Sequence, residues 1–384
     1  MMPITEFLEL GKLAKRATLL LGQPGIRKSA EVKQFAEREA IASKRMFVEW
    51  DCISFEEKRQ LLTDKEYLKT VYLYADTRLS GNDPTDMKGL PMFFETGDGS
   101  YVEWRPPMVF AVLSQPDCMG CLFLDEITQC PLAIQAPAYQ LILDKCIGEI
   151  KLSDSVFMTA AGNRPEDKTG AFALGTALRN RFSHMTVEPP TIQQWTVDFA
   201  LLNNIHSDII AYLNFRPDHL TAKMADVHKS GDNAYPTPRT WEFASDFLHA
   251  YENLHKQKPD FDTIIDIVGA NVGHAHAVEY EAFVRLLRDV KMKDIIANPS
   301  ILKTYMNDKD GLSKVWAVIG AVPDYYAQHE KAQTREDLLD VCSHLEVDYA
   351  VAMLRMLIQR FPTLNREFLS CPNKAVVIKY AKYL

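Results

Sequence analysis

The segment "TLLLGQPGIRKSA", Thr18 to Ala30, constrains the fold more than any other stretch of the chain. Thr18 to Leu21 is an apolar run with the look of a buried strand. Gly22-Gln23-Pro24-Gly25 must then turn sharply, and Lys28-Ser29 opens a segment of helical spacing. A strand that ends in a glycine turn and restarts as a helix aims backbone N–H groups at one point, where an anion is stabilised. The phosphate-cradling pattern is G-x-x-x-x-G-K-[ST], and this stretch matches it except that Arg27 stands where the second Gly belongs.

The rest of the chain has the strands and helices that such a loop needs. Residues 17–22 and 121–125 ("CLFLD") read as strands apolar on both faces, with 155–163 ("SVFMTAAGN") a third strand and 70–78 ("TVYLYADTR") a candidate fourth. Helical spacing separates them: "FEEKRQLL" before 70–78, then 29–42 and 131–145. That alternation predicts βαβ units around a parallel sheet, an α/β fold. Residues 83–107, rich in Gly, Pro and Asp, predict an irregular or hairpin insertion. From about Thr191 the strand signal fades, and helical spacing covers 194–204, 207–214, 239–255, 261–290 and 344–361. The expected organisation is a nucleotide-binding domain at 1–190, a helical lid at 191–290 and a helical C-terminal region at 291–384.

Composition narrows the function. The chain has 384 residues, 47% hydrophobic and 24% charged, as in ordinary globular proteins. No apolar run approaches the roughly 18 residues of a membrane span, and Glu6 and Glu9 stand where a secretory leader would be apolar. The expectation is a cytoplasmic protein with no membrane partner. A net charge of −8 argues against a broad basic surface for duplex DNA. Seven cysteines, an odd number, argue against a disulfide framework. Cys118-Met-Gly-Cys121 has metal-pair spacing, but no second pair follows, so buried or surface thiols are expected. The ten histidines show no metal motif; His274 and His276 fall on different faces of a helix.

The strand "CLFLD" ends in Asp125-Glu126, which places an acidic pair at the carboxyl edge of a sheet. In phosphate-loop nucleotidases the loop lysine and backbone N–H groups hold ATP phosphates, while the loop hydroxyl and the strand-end Asp hold Mg²⁺. Lys28, Ser29 and Asp125 fill those roles, with Ser29 and Asp125 as the metal ligands. Glu126 would polarise the attacking water as general base. Asn163, closing the strand 155–163, suits an uncharged probe of the terminal phosphate. In "LRNRFSH" (178–184) Arg181 is chosen over Arg179 and Arg164 as an arginine acting in trans. In "YPTPRTWEF" (235–243) Pro238 suits a first helical turn, with Arg239 at its start and Trp241 and Phe243 in the core.

Taken in order, these elements resemble an AAA+ ATPase, and within that family the MoxR-like branch. The matching stretches are "GQPGIRKSA", "DPTDMKGLP", "WRPP", "LFLDEI", "IQAPAYQLILDKCIGEIKL", "AAGNR", "LRNRF" and "YPTPRTWEF", with "VDYAVAMLRMLIQRFPTL" towards the C-terminus. The resemblance implies an αβα domain with a helical lid, ATP held by Gly22, Gln23, Pro24, Gly25, Ile26, Arg27, Lys28, Ser29 and Ala30, and catalysis by Glu126, Asn163, Arg181 and Arg239. It also implies a homo-oligomeric ring, usually hexameric, that turns ATP hydrolysis into force on a protein client. In MoxR-like relatives that client often carries a von Willebrand A domain, and small relatives of this kind occur in phage genomes.

Arg27 departs from the family, where Gly lets the backbone approach the phosphates. Its side chain could turn to solvent, reach a phosphate oxygen and slow release, or block the site. The remaining site residues are all present, so retained binding and hydrolysis are expected. Two other readings stay open. One is a nucleic-acid motor or loader, disfavoured because Lys88 and Arg105 are the only cations in 83–107. The other is a nucleotide-binding scaffold with weak hydrolysis.

Overall fold

Apolar strands with no polar face need cover on both sides, and the first unit, Met1–Pro189, supplies it. The computed structural model describes residues 2–79, 84–96, 99–167, 174–230, 232–307 and 311–380. The strands are β1 (Thr18–Leu21), β2 (Met46–Glu49), β3 (Val71–Arg78), β4 (Leu90–Thr96), β5 (Gly99–Arg105), β6 (Met119–Asp125), β7 (Cys146–Ile147), β8 (Ile150–Lys151), β9 (Val156–Gly162) and β10 (Ser183–Thr186). Six of them form one sheet in the order β10-β1-β9-β6-β3-β2, every neighbouring pair parallel. The α/β fold with a parallel sheet, followed by a helical region, is as the sequence predicts.

Side chains alternate across the sheet and define two cores. Leu19, Leu73, Leu122 and Met158 point into one, with Leu113 and Leu141. Leu20, Tyr74, Phe123 and Phe157 point into the other, with Leu8, Val32 and Phe35. The first core is covered by α3 (Phe55–Thr63), α4 (Lys65–Thr70), α6 (Met108–Leu113) and α7 (Leu132–Asp144), and the second by α1 (Ile4–Leu13) and α2 (Lys28–Ala42). Two short helices, α5 (Pro84–Lys88) and α8 (Thr176–Arg179), complete the unit. Each fully buried Leu or Phe contributes about 1.5–3 kcal/mol of transfer free energy, so the layers hold themselves together.

Cys118 and Cys121 are buried free thiols on opposite faces, one in each core. Burial pushes Cys118 up to about 12, and the two cannot share a metal. The insertion at 83–107 contains the antiparallel hairpin β4–β5, joined in register from Leu90↔Arg105 to Thr96↔Gly99. Asp83, Gly97 and Asp98 of that stretch lie outside the described residues. The two edge strands, β2 and β10, and helix α1 have no counterpart in the sequence reading. An edge strand is half solvated, and Ser183-His184-Met185-Thr186 carries no apolar run.

The second unit, Pro190–Leu384, is helical. It begins with α9 (Ile192–Trp195), which runs into a π-helical turn at Thr196–Ala200, and continues with α10 (Ser207–Phe215), α11 (Met224–Ser230), α12 (Pro238–His255), α13 (Phe261–Val272) and α14 (His274–Arg288). Then follow α15 (Met292–Ala297), α16 (Ile301–Asn307), α17 (Gly311–Gln328), α18 (Ala332–Ser343), α19 (Val347–Arg360), α20 (Leu364–Leu369) and α21 (Ala375–Tyr380). The periodic stretch 261–290 is two helices rather than one, because Gly273 takes φ 91° and ends α13. The parts set apart in the sequence, 191–290 and 291–384, share one core running from Trp195 to Tyr380. Trp241 is fully buried as expected, whereas Phe243, expected in the core, is 46% exposed. Among the described residues, no helix is long and apolar enough to cross a membrane.

Candidate functional site

In a parallel sheet all the strands end at one edge, and the parity of the final residues decides which face their side chains take. On β3, Tyr72 and Tyr74 face α2, so Asp76 and Arg78 do too. On β6, Cys121 and Phe123 face α2, so Asp125 follows. On β9, Phe157 and Ala161 set the same parity for Asn163. The sheet therefore brings Asp76, Asp125 and Asn163 under the start of α2, which carries Lys28 and Ser29.

The loop between β1 and α2 is fixed by two glycines. Gly22 has no room for a Cβ, which would meet the Val187 carbonyl oxygen at 2.5 Å. Gly25 takes φ 76°, the left-handed region. Ile26 is buried in the α2-side core and pins the turn. Gln23 and Pro24 span the bend, and Ala30 continues the first turn of α2.

Lys28, 8% exposed, donates to the carbonyls of Gly22 and Gln23, both at 2.8 Å, and lies 3.4 Å from Asn163 Oδ1. Ser29 donates its Oγ hydrogen to Asp125 Oδ2 at 2.9 Å, and Asp125 Oδ1 accepts the Glu126 N–H at 2.8 Å. Glu126 itself stands in the left-handed region, φ 55° and ψ 31°, at the head of a 3-10 turn. Such a conformation is disfavoured for Glu and is stored where a side chain must be aimed off a strand end. Asn163 donates its backbone N–H to the buried Thr128 Oγ1 at 2.9 Å, which fixes where its amide stands. Lysine, hydroxyl, strand-end carboxylates and asparagine form one cluster.

Arg27 takes φ 71° and ψ 21° as the residue that caps α2. The position takes the left-handed region, which a glycine would adopt without strain. Its side chain is half-buried rather than turned out to solvent.

Asp76 is the member that sequence reasoning missed. Burial, and next to it the charge of Asp125, push its carboxyl up to about 7 against the pull of Arg78. Asp76 Oδ1 is buried without a hydrogen-bond partner. A buried, proton-hungry carboxylate beside a second one is what a divalent cation satisfies. The residues thus fit Mg²⁺: Ser29 and Asp125 would hold it, Asp76 would lower the local potential, and the ion would neutralise phosphate charge.

The arginines fall into three situations. Arg164 is paired with Asp167 through two contacts, 3.1 and 3.2 Å, and with Glu188 at 3.3 Å. Arg181 lies with its guanidinium 4.0 Å from the centre of the Tyr139 ring of its own unit. Arg179 is exposed. All three line a cleft of about 860 Å³ beside β1 and β10. In the helical unit, Arg239 is exposed in the first turn of α12, capped by Thr237, whose Oγ1 accepts the Thr240 N–H.

No family model matches the chain, and no curated protein matches it. Solved structures do. A mutant of RuvB from Thermotoga maritima is 14% identical over 73% of this chain and 67% of its own, with a TM-score of 0.34. NtrX from Brucella abortus is 12% identical over 100% of this chain and 68% of its own, with a TM-score of 0.35. An ADP complex of the same NtrX matches with a TM-score of 0.35 over 98% of this chain. At these scores the likeness lends no weight to a functional reading, which rests on the loop and its partners.

Proposed function

We propose that the chain binds ATP with Mg²⁺ at the β1–α2 loop and hydrolyses it, as an AAA+ ATPase of the MoxR-like kind. The observation that carries this reading is the convergence of Lys28, Ser29, Asp125 and Asn163 from three strand ends, with Ser29 and Asp125 2.9 Å apart. The strand order supports it: β9, bearing Asn163, lies between the loop strand β1 and the acidic strand β6. Lys28 would exchange its bonds to Gly22 and Gln23 for phosphate oxygens. Glu126 would accept the proton of the attacking water and Asn163 would orient that water.

Hydrolysis in such a ring needs an arginine from the neighbouring copy. Arg179, exposed at the end of α8, suits that role better than Arg181, packed on Tyr139. Arg239 would read the nucleotide from the helical unit. The client we propose is a protein, such as one with a von Willebrand A domain, engaged by a homo-oligomeric, hexameric ring. The hairpin β4–β5 supports a protein over a nucleic acid: Leu90, Met92, Phe93, Tyr101 and Val102 are each at least 49% exposed. One observation favours a slower, scaffold-like variant of the same reading. Arg27 holds a conformation and a position that suit glycine, and a cation there would retain product phosphate.

The test is nucleotide binding and steady-state turnover on the purified chain with Mg²⁺, across a range of protein concentrations. Lys28→Ala should lose binding, and Glu126→Gln should keep binding and lose turnover. Wild type that binds no ATP sinks the reading. Binding without turnover, restored in Arg27→Gly, supports the scaffold variant.

A further inference from the structure

The helical unit holds a second cluster that the nucleotide reading does not use. His249 and Glu252 are three residues apart on α12 and so share a face. His206, 6% exposed, sits just before α10, and its backbone N–H is fixed on Ser245 Oγ at 2.8 Å. One ligand atom from each of the three lies within 4.8 Å of the others, the only such group of His, Cys, Asp and Glu among the described residues. They border a cavity of about 220 Å³ together with Lys258, Asp324 and Arg360.

The ring nitrogens are already sorted. His249 Nε2 is 3.0 Å from the Asn204 carbonyl, which only accepts, so Nε2 carries the hydrogen and Nδ1 keeps a lone pair. His206 Nε2 stands 3.4 Å from Glu252 Oε1. Two ligands 2.0–2.1 Å from a tetrahedral zinc ion lie about 3.3 Å apart, so that pair is already at ligand spacing. His206 Nδ1 accepts the Asp208 N–H at 3.3 Å. With a metal on Nε2, its Nδ1–H would instead face Asp208 Oδ2, now 3.9 Å away, the usual carboxylate support of a metal-bound imidazole. The nearby cations are neutralised: Lys258 lies 2.5 Å from Asp324 and 3.7 Å from Asp208, and Arg360 lies 2.6 Å from Asp324. Three carboxylates against two cations leave the locale negative.

We propose that His206, His249 and Glu252 form a site for a divalent transition-metal ion of the zinc class, tying the start of α10 to the C-terminal part of α12. Two imidazoles and one carboxylate select such an ion over Mg²⁺, which prefers oxygen alone. The fourth position is left to water. This site is independent of the nucleotide reading.

The experiment titrates Zn²⁺ by calorimetry into the full chain, stripped with chelator and free of nucleotide, and repeats it with Mg²⁺. We expect one zinc per chain at this cluster, and any Mg²⁺ response, which belongs to the Ser29–Asp125 site, should be unchanged in His249→Gln and Glu252→Gln. His249→Gln and Glu252→Gln should each weaken zinc binding by more than about tenfold, while Ser29→Ala leaves it unchanged. Co²⁺ should give a visible spectrum without a thiolate charge-transfer band, since the cluster holds no cysteine. Zinc should also protect His249 from carbethoxylation in the wild-type chain, a readout that needs no variant to fold. No zinc binding by wild type overturns the proposal. So does binding undiminished in both variants, a thiolate band, or a His249 that zinc leaves unprotected.

Discussion

Ser29 and Asp125, ninety-six positions apart, share a hydrogen bond of 2.9 Å at the carboxyl edge of the sheet. The bond joins the first turn of a helix to the end of a strand two places away, and both residues are ones a magnesium ion would claim. Around it the chain accumulates locally disfavoured features: Arg27 and Glu126 in the left-handed region and Asp76 buried beside a like charge. Features of this kind persist where the surrounding structure over-determines them.

Arg27 gives the first prediction. The left-handed conformation costs a non-glycine residue about 1–2 kcal/mol, partly offset in Arg27→Gly by the greater freedom of glycine in the unfolded chain. Arg27→Gly should therefore be at least as stable as Arg27→Ala, which keeps the strained backbone. If the guanidinium reaches phosphate, both variants should weaken ATP binding by roughly tenfold and speed ADP release. Melting curves and stopped-flow release with a fluorescent nucleotide check this. An affinity altered in Gly but not in Ala would assign the effect to the backbone.

Asp76 gives a pH dependence. Its carboxyl titrates near 7 in the fold against the ordinary carboxylate range in the unfolded chain. The unfolded chain gives up its proton first as pH rises, so this group's stability contribution is full below about pH 4 and is lost on approach to pH 7. Asp76→Asn, which cannot ionise, should match wild type at low pH and melt higher above pH 7. Mg²⁺ should raise the wild-type midpoint at pH 8 and do so less in the variant. A melting difference that does not change between pH 4 and 8 would remove Asp76 from this account.

Much of the site is legible in the sequence because its members lie at strand ends, and the strands announce themselves as apolar runs. "TLLL", "CLFLD" and "SVFMTAAGN" each lead to site residues at a known place: the loop with Lys28 and Ser29, the pair Asp125-Glu126, and Asn163. Asp76 had the same signal, since "TVYLYAD" is an apolar run ending in an acid, but without the order of strands nothing placed it beside Asp125. The edge strand β10 was invisible because its residues, Met185 apart, are polar and exposed. His206 lies far from His249 in sequence, and only the packing of α10 on α12 brings them together. The ring environment of Arg181 is likewise a tertiary fact, set by where Tyr139 falls on α7.

The two arginines separate cleanly by experiment. Arg179→Ala should leave ATP affinity and thermal stability near wild type while removing most concentration-dependent turnover, as loss of a trans-acting arginine does. Arg181→Ala should lower stability by about 0.5–1 kcal/mol through loss of its cation–π contact with Tyr139. Denaturant titration and turnover at several protein concentrations read both. If Arg181→Ala alone stops turnover with stability intact, the sequence choice of Arg181 is right after all.

The hairpin β4–β5 provides the last test. Phe93 and Val102 are directly opposed in register and 62% and 50% exposed, on the face opposite the Phe94–Tyr101 stack. An exposed apolar pair on a two-stranded ribbon contributes little to the fold and much to what the ribbon can hold. Replacing both with Ser should leave the Phe94–Tyr101 contact, the melting midpoint and basal ATP turnover unchanged. It should reduce binding of an apolar dye and abolish any stimulation of turnover by an unfolded model protein such as reduced casein. The two readouts have different meanings. Dye binding that falls while stimulation survives would place the client on another surface of the chain, whereas a fall in basal turnover would make the hairpin part of the ATPase machinery rather than its reach to a partner.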